Sequence, residues 1–247
     1  MKILHIDIET SPNKVYSWGL FKQTIGINQV IEPGKMICYA AKWHGKKKVI
    51  FKSEFHHGTE DMLDTLWQLL DEADAVCHYN GQAFDMKTIN RDFLLNGYEP
   101  PSTYRQIDLL RTIKGSFRFL SNKLDFVSQQ IEIGQKVKHS GFDLWVQCEQ
   151  GNRKAWAEMK KYNIQDTHLL EDLYNELLPW ITNHPNVAMY MDDAEEPTCK
   201  SCGSKNVKKN GTQYTNARTY QRYKCNDCGT NMAGRKSLAP TPEGVLK

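Results

Sequence analysis

The stretch HIDIET at positions 5–10 sets two carboxylates, Asp7 and Glu9, inside a run of isoleucine and leucine. That composition belongs to a strand buried on both faces. Residues two apart on a strand share a side, so the two acids repel each other unless a cation, or two, stands between them. Two more acids fit the same chemistry. Asp85 follows the turn-forming pair Asn80 and Gly81 in HYNGQAFDMKTI, just beyond a strand end, where open α/β sheets place ligand groups. Taken alone, Asp85 reads better as an acid favoured by a helix N-terminus. Asp166 is firmer. In KKYNIQDTHLLEDLYNELL, Tyr162, Asp166, Leu169, Leu170, Leu173 and Leu177 form one helical stripe, so Asp166 belongs to the inward face. Tyr162, one turn earlier, projects to the same side and is able to hold a water beside whatever Asp166 binds.

These side chains need a scaffold, and the patterning predicts an α/β one. HIDIET, KMICYAAKW and KKVIFKSE read as three strands, the last two joined at Gly45. A helix over Glu60–Asp71, with Thr59 as N-cap, presents Met62, Leu63, Leu66, Leu69 and Leu70 at helical spacing. DAVCHYN returns as a strand, FDMKTINRDFLLNG as a helix ended by Gly97, and YRQIDLL as a fifth strand. From Ser121 onward the chain reads as mostly helical, with a long helix from Arg153 to Trp180. An early antiparallel hairpin followed by βα units results.

Ordinary globular usage, 40% hydrophobic and 25% charged over 247 residues, allows one sizeable core plus an appendage. No apolar run approaches the roughly 18 residues of a membrane span, and the N-terminus lacks the apolar core of a signal peptide. We therefore expect a cytoplasmic protein with no membrane partner. Cysteine usage agrees, since Cys199, Cys202, Cys225 and Cys228 form two CxxC pairs, a metal pattern more than a disulfide framework. Charge is uneven: residues 197–247 hold ten Lys/Arg against Asp227 and Glu243, net +8, and residues 1–196 are net −5. A basic appendage on a body with clustered acids points to a polyanionic partner.

DIET, NGxxFD and YxxxD, in this order on a strand, a loop and a helix, resemble the three motifs of the DnaQ-like, or DEDD, 3′-to-5′ exonucleases of the ribonuclease H-like superfamily. Tyr162, four residues before Asp166, is similar to the tyrosine of the DEDDy branch, which includes proofreading domains of family A and B DNA polymerases. The chain also resembles the compact exonucleases of bacteria and their phages, which places it in a bacterial cell or phage-infected host. The resemblance covers residues 1–182 and implies a mixed five-stranded ribonuclease H-like sheet flanked by helices. It also implies Asp7, Glu9, Asp85 and Asp166 as metal ligands and Tyr162 as the residue orienting the attacking water. Hard oxygen ligands favour two Mg²⁺ or Mn²⁺ ions. DNA, single-stranded or frayed at its 3′ end, is the expected substrate, with RNA as runner-up. No polymerase domain follows, so the enzyme is expected to act alone or with a replication or recombination protein in trans. A DNA-binding adaptor with an inert acidic body is the competing reading.

Residues 199–236 resemble a zinc ribbon, with CKSC and CNDC as knuckles and Gly203 and Gly229 easing the turn after each pair. Such a short segment cannot fold without its metal. Lys208, Arg218 and Arg222, with Lys209 and Lys224 and interleaved with Tyr214, Tyr220 and Tyr223, suit nucleic-acid binding. Residues 183–198 are the expected linker and 237–247 an expected disordered tail. Asn80, Trp18, Phe21 and Lys123 are candidate substrate contacts in the first domain. Arg118, Lys136 and Lys138, with Lys123, are able to line a phosphate path, although solvated charge is their default reading. His5, His56, His57 and His168 are read as structural or exposed.

Overall fold

Alternation along β1 (Ile3–Thr10) produces two unlike faces. Leu4, Ile6 and Ile8 are buried in one apolar cluster with Met62, Leu66, Met86 and Ile89, and His5, Asp7 and Glu9 turn to the opposite side. The structure, a computed structural model, describes residues 1–191 and 196–239. The chain divides into two units, Lys2–Leu173 and Tyr174–Lys247 with Met1.

In the first unit, β2 (Lys14–Val15) and β3 (Val30–Glu32) pair as a small separate ribbon. β4 (Met36–Trp43) and β5 (Val49–Ser53) form the predicted hairpin, turned at Gly45 with φ +73. A single helical turn, α1 (Glu54–His57), leads into α2 (Thr59–Glu72). Then follow β6 (Ala75–His78), α3 (Asp85–Leu95), β7 (Arg105–Asp108), α4 (Leu109–Ser116), α5 (Leu124–Gln130), α6 (Asp143–Glu149) and α7 (Arg153–Leu177). The five longer strands form one mixed sheet of order β5-β4-β1-β6-β7. β1 pairs antiparallel with β4 and parallel with β6, so the central strand is flanked on both edges, as its apolar composition requires. Below its polar face lies a second cluster, Cys38, Leu144, Cys148, Trp156, Met159 and Tyr162, each large side chain contributing about 1.5–3 kcal/mol by burial.

Three local readings change. Gly58, at φ +81, is the N-cap of α2, and Thr59 is already helical. Gly58 also ends α1, and its positive φ redirects the chain between two helices. Residues 131–141, expected to be helical, are not, because Glu132 (φ 60) and Gly134 (φ 145) leave the helical region. The long helix stops at Leu177 and passes into a 3₁₀ turn, Leu178–Trp180, carrying Pro179, whose ring cannot continue the α ladder.

The second unit holds β8 (Val207–Tyr214), β9 (Thr219–Cys225) and β10 (Asn231–Ser237), antiparallel in the order β10-β9-β8. Within the expected linker, Asn186 caps a 3₁₀ turn over Val187–Tyr190, and 192–195 lie outside the described residues. Of the expected tail, Ser237 belongs to β10 and the Leu238 N–H donates to Thr219 O at 2.8 Å. Residues 240–247 lie outside the described residues.

Candidate active site

Pairing between β1 and β6 ends at His5↔Cys77, which leaves the second half of β1 without a parallel neighbour. Here Asp7 and Glu9 stand opposite Ala40 and Cys38 of β4, small side chains that leave room for carboxylates. Asp85 reaches the same edge, where its Oδ1 accepts the Ile8 N–H at 3.4 Å. A side chain thus supplies the acceptor that β6 no longer provides. Asp85 is held there by the turn before it. Asn80, at φ 67, donates its N–H to Asp108 Oδ1 at 2.9 Å, and the N–H groups of Gln82 and Leu110 donate to the same carboxylate at 3.4 and 3.0 Å. Gly81 passes over the buried His78 ring so closely that a Cβ would lie 2.4 Å from its Cγ. The Met86 N–H then donates to Gly81 O at 2.9 Å, starting α3.

From α7 come Tyr162, Asn163 and Asp166, all buried. Asn163 Nδ2 donates to Asp7 Oδ2 at 2.7 Å and to Asp7 O at 3.1 Å, fixing the carboxylate's rotamer. Trp145 of α6 donates its indole N–H to Glu9 Oε2 at 3.2 Å and packs edge-on to Tyr162. Lys136 enters from the non-helical 131–141 segment: its Nζ donates to Tyr162 Oη at 3.1 Å and forms an ion pair with Asp166 Oδ2. Lys136 is held in turn by its N–H, which donates to Asp125 Oδ1 at 2.7 Å.

The electrostatics follow from crowding acids out of water. Burial, reinforced by Glu9, Asp166 and Asp85, lifts the Asp7 carboxyl well above its usual range. Burial likewise raises Glu9 to about 7 and Asp85 to about 6, and it raises Asp166 even though Lys136 pulls the other way. Burial also lifts Tyr162, which therefore keeps its proton at neutral pH. Lys136 is held above its ordinary value because Asp166, Tyr162 and Asp7 outweigh its own burial.

Such a cluster fits divalent cations. Asp166 Oδ1 is buried with no hydrogen-bond partner among the described residues, an orphan acceptor that a cation would satisfy. The four carboxylates are spread more widely than a single-ion cage, since no three of their oxygens converge within 4.8 Å. A pair of ions about 3.5–4 Å apart asks for that wider ring. Among the described residues, two other groups do converge within 4.8 Å: the four cysteines, and His5, His44 and Glu171. In the latter, Glu171 is already matched by Lys42 and by the Gly45 N–H at 2.7 Å, so we read a buried ion-pair network. The cysteines differ. Their Sγ pairs Cys199–Cys228 and Cys202–Cys225 lie 3.6 and 3.7 Å apart, with all four thiols free. Zn–S bonds of about 2.3 Å set tetrahedral edges of about 3.8 Å, so the arrangement is compatible with a zinc ribbon. Gly203 and Gly229, at φ 75 and 78, close the two knuckles, their N–H groups donating to Cys199 O and Cys225 O at 2.9 and 3.1 Å.

Other candidates stand apart from the acids. Trp18 (100% exposed) and Phe21 (84%) project from the loop between β2 and β3. Lys123, Arg118 and Lys138 are exposed and form no ion pair among the described residues. Asn80 contributes its backbone and its left-handed turn, its side chain being exposed. Sequence reasoning left Lys136 as solvated charge and overlooked Asn163 and Trp145. Asn163 adjoins Tyr162 in the inward stripe, which was a usable signal; Lys136 and Trp145 carried none.

A hairpin-first mixed sheet with acids at the open edge of its central strand defines a ribonuclease H-like, nuclease-like fold. A family model of the RNase_H superfamily, RNase_H_2, matches residues 4–178, and the chain belongs to that superfamily. Among solved structures it is similar to the family B DNA polymerase of the hyperthermophilic archaeon Pyrobaculum calidifontis. The identity is 14% over 72% of this chain and 24% of that one, with a TM-score of 0.54. At that identity the likeness is one of fold, and this chain spans about a quarter of the polymerase. A search of curated proteins found no match.

Proposed function

We propose that residues 1–182 form a metal-dependent 3′-to-5′ exonuclease of the DEDDy type, and that residues 199–236 form a zinc ribbon that binds nucleic acid. The convergence of Asp7, Glu9, Asp85 and Asp166 on one strand edge, with every carboxyl raised in pKa and the Tyr162 hydroxyl beside them, supports this reading. Asp7, Glu9, Asp85 and Asp166 would hold two Mg²⁺ or Mn²⁺ ions, which supply an activated water and stabilise charge on the attacking and leaving oxygens. Tyr162 stays protonated and orients that water through its hydroxyl. Lys136 aligns the Tyr162 hydroxyl and favours the ionised form of Asp166 against the effect of burial. Asn163 and Trp145 hold Asp7 and Glu9 in position, the preorganisation on which such a site depends. Cys199, Cys202, Cys225 and Cys228 would hold structural Zn²⁺. DNA is the proposed substrate because the motifs resemble the proofreading class and the fold is similar to that of a DNA polymerase. The setting would be the cytoplasm, where a replication or recombination protein is a suitable partner in trans.

The test is mononucleotide release from 3′-labelled and 5′-labelled single-stranded DNA and RNA, with Mg²⁺, with Mn²⁺ or with neither, for wild type and Asp166→Ala. Stepwise shortening from the 3′ end that needs both the ion and Asp166 is the expected result. Metal-independent cleavage, or none, would refute the exonuclease.

A further inference from the structure

The three strands of the second unit present two chemically different faces. Along β9, Cys225, Tyr223 and Gln221 alternate with Lys224, Arg222 and Tyr220. Register carries this division across the sheet: Val207 lies opposite Cys225 and Met232 opposite Tyr223, on the cysteine side. On that side Tyr223 and Met232 line a groove of mixed character with Ala188, Met189 and Leu238, whose walls also include Glu196, Lys200, Arg235 and Lys236. On the other side Lys208 stands directly opposite Lys224, with Asn231 beyond it, and Arg222 follows one step along.

Lys208, Lys224 and Arg222 are all exposed, and none forms an ion pair among the described residues. The two carboxylates described between 196 and 239 lie elsewhere: Asp227 accepts from Ser204 and Asn206 beside the knuckle, and Glu196 lines the groove on the other side. Like charges placed directly opposite on neighbouring strands destabilise a sheet, and an anion laid across them reverses that. Arg222 is also held in place, since its Nε donates to Asn210 O at 2.6 Å and the side chain lies over β8. A face with three cations, Tyr220 and no acid among the described residues suits nucleic acid better than a protein partner, whose interface cores are depleted of lysine. It suits a repeating anion.

We infer that the sheet face carrying Lys208, Arg222 and Lys224 is a sequence-independent binding site for the phosphate backbone of nucleic acid. This deepens the nucleic-acid reading of the second unit and rests on it. Lys209, on the Tyr223 side, and Arg218, in the turn whose backbone pairs with Thr215, are excluded from the site, although sequence grouped all five cations together.

The experiment is fluorescence anisotropy of labelled oligonucleotides with the full chain carrying Asp166→Ala, without Mg²⁺ or Mn²⁺, over a range of salt concentrations. Removing the three cations together (Lys208→Gln, Arg222→Gln, Lys224→Gln) should flatten the slope of log K against log salt by about 2–3, at about 0.7–0.9 for each phosphate that is no longer neutralised. It should also weaken binding at low salt by at least about tenfold. Lys209→Gln with Arg218→Gln should leave the slope unchanged, and oligonucleotides of unrelated sequence should bind alike. Equal zinc content and far-UV circular dichroism establish that each variant is folded. An unchanged slope in the triple variant, a weakening carried by the Lys209/Arg218 pair, or marked sequence preference would each overturn the assignment. Binding needs no catalysis here, so this failure is separable from failure of the exonuclease, which is read by cleavage alone.

Discussion

Glu9→Gln isolates the electrostatic cost of the acid cluster. The substitution keeps the side chain's shape and an oxygen to accept the Trp145 N–H, and it removes one titratable group. Burial raises the wild-type carboxyl from its ordinary 4.5 to about 7. A group raised in the folded state contributes stability that is fully present below its unfolded pKa and lost as pH rises through its folded one, because the native state then holds the extra proton. In the absence of Mg²⁺ and Mn²⁺, wild type and Glu9→Gln should therefore be about equally stable near pH 4. At pH 8 the variant should be more stable by about 3 kcal/mol, at 1.36 kcal/mol per pKa unit. The gap opens between pH 4.5 and 7. Comparing two proteins at each pH cancels the titration of acids remote from Glu9, and Asp7, which Glu9 also raises, adds to the gap in the same direction. Urea unfolding by tryptophan fluorescence is the assay, with any zinc on the four cysteines left in place. Five of the six tryptophans (18, 43, 67, 145 and 156) lie in the first unit. Saturating Mg²⁺ should reverse the order, since wild type alone keeps the full ligand set. A stability difference independent of pH would refute the claim that Glu9 belongs to a desolvated acid cluster.

Two further substitutions probe how the site is held. Gly81→Ala drives a methyl into the His78 ring, which is fully buried and bonded to Gln106 at 3.2 Å. Overpacking should cost about 1–3 kcal/mol and shift the turn that carries Asp85, so calorimetry should show a lowered transition and the nuclease assay an abolished activity, with zinc content unaltered. Lys136→Met removes the donor to Tyr162 and the counter-charge to Asp166. At about 1.5–3 kcal/mol for a hydrogen bond to a charged group, kcat should fall about 10- to 100-fold. The acid limb of the pH–rate profile should also move to higher pH, because Asp166, Glu9 and Asp85 all lose a cation that lowers their pKa.

Much of this architecture is local and hence legible in the chain. Period-two alternation marks β1 and separates Asp7 and Glu9 from Leu4, Ile6 and Ile8. Helical spacing brings Tyr162 and Asp166 to one face of α7, and the CxxC pairs with their glycines specify the knuckles. These features depend on neighbours within a few residues, where backbone geometry alone sets direction. What only the tertiary structure decided depends on loops and on register. Lys136 lies in a segment without periodicity, and nothing near it in sequence says that its ammonium meets Asp166, 30 residues away. The support of Asp85 by the amides gathered on Asp108 comes from β7, and the partnership of His5, His44 and Glu171 joins β1, the turn after β4 and α7. In the second unit, five cations interleaved with tyrosines look alike in sequence. Pairing of β8, β9 and β10 sorts them by face, because a strand has two sides and only its partners' register says which cations share one.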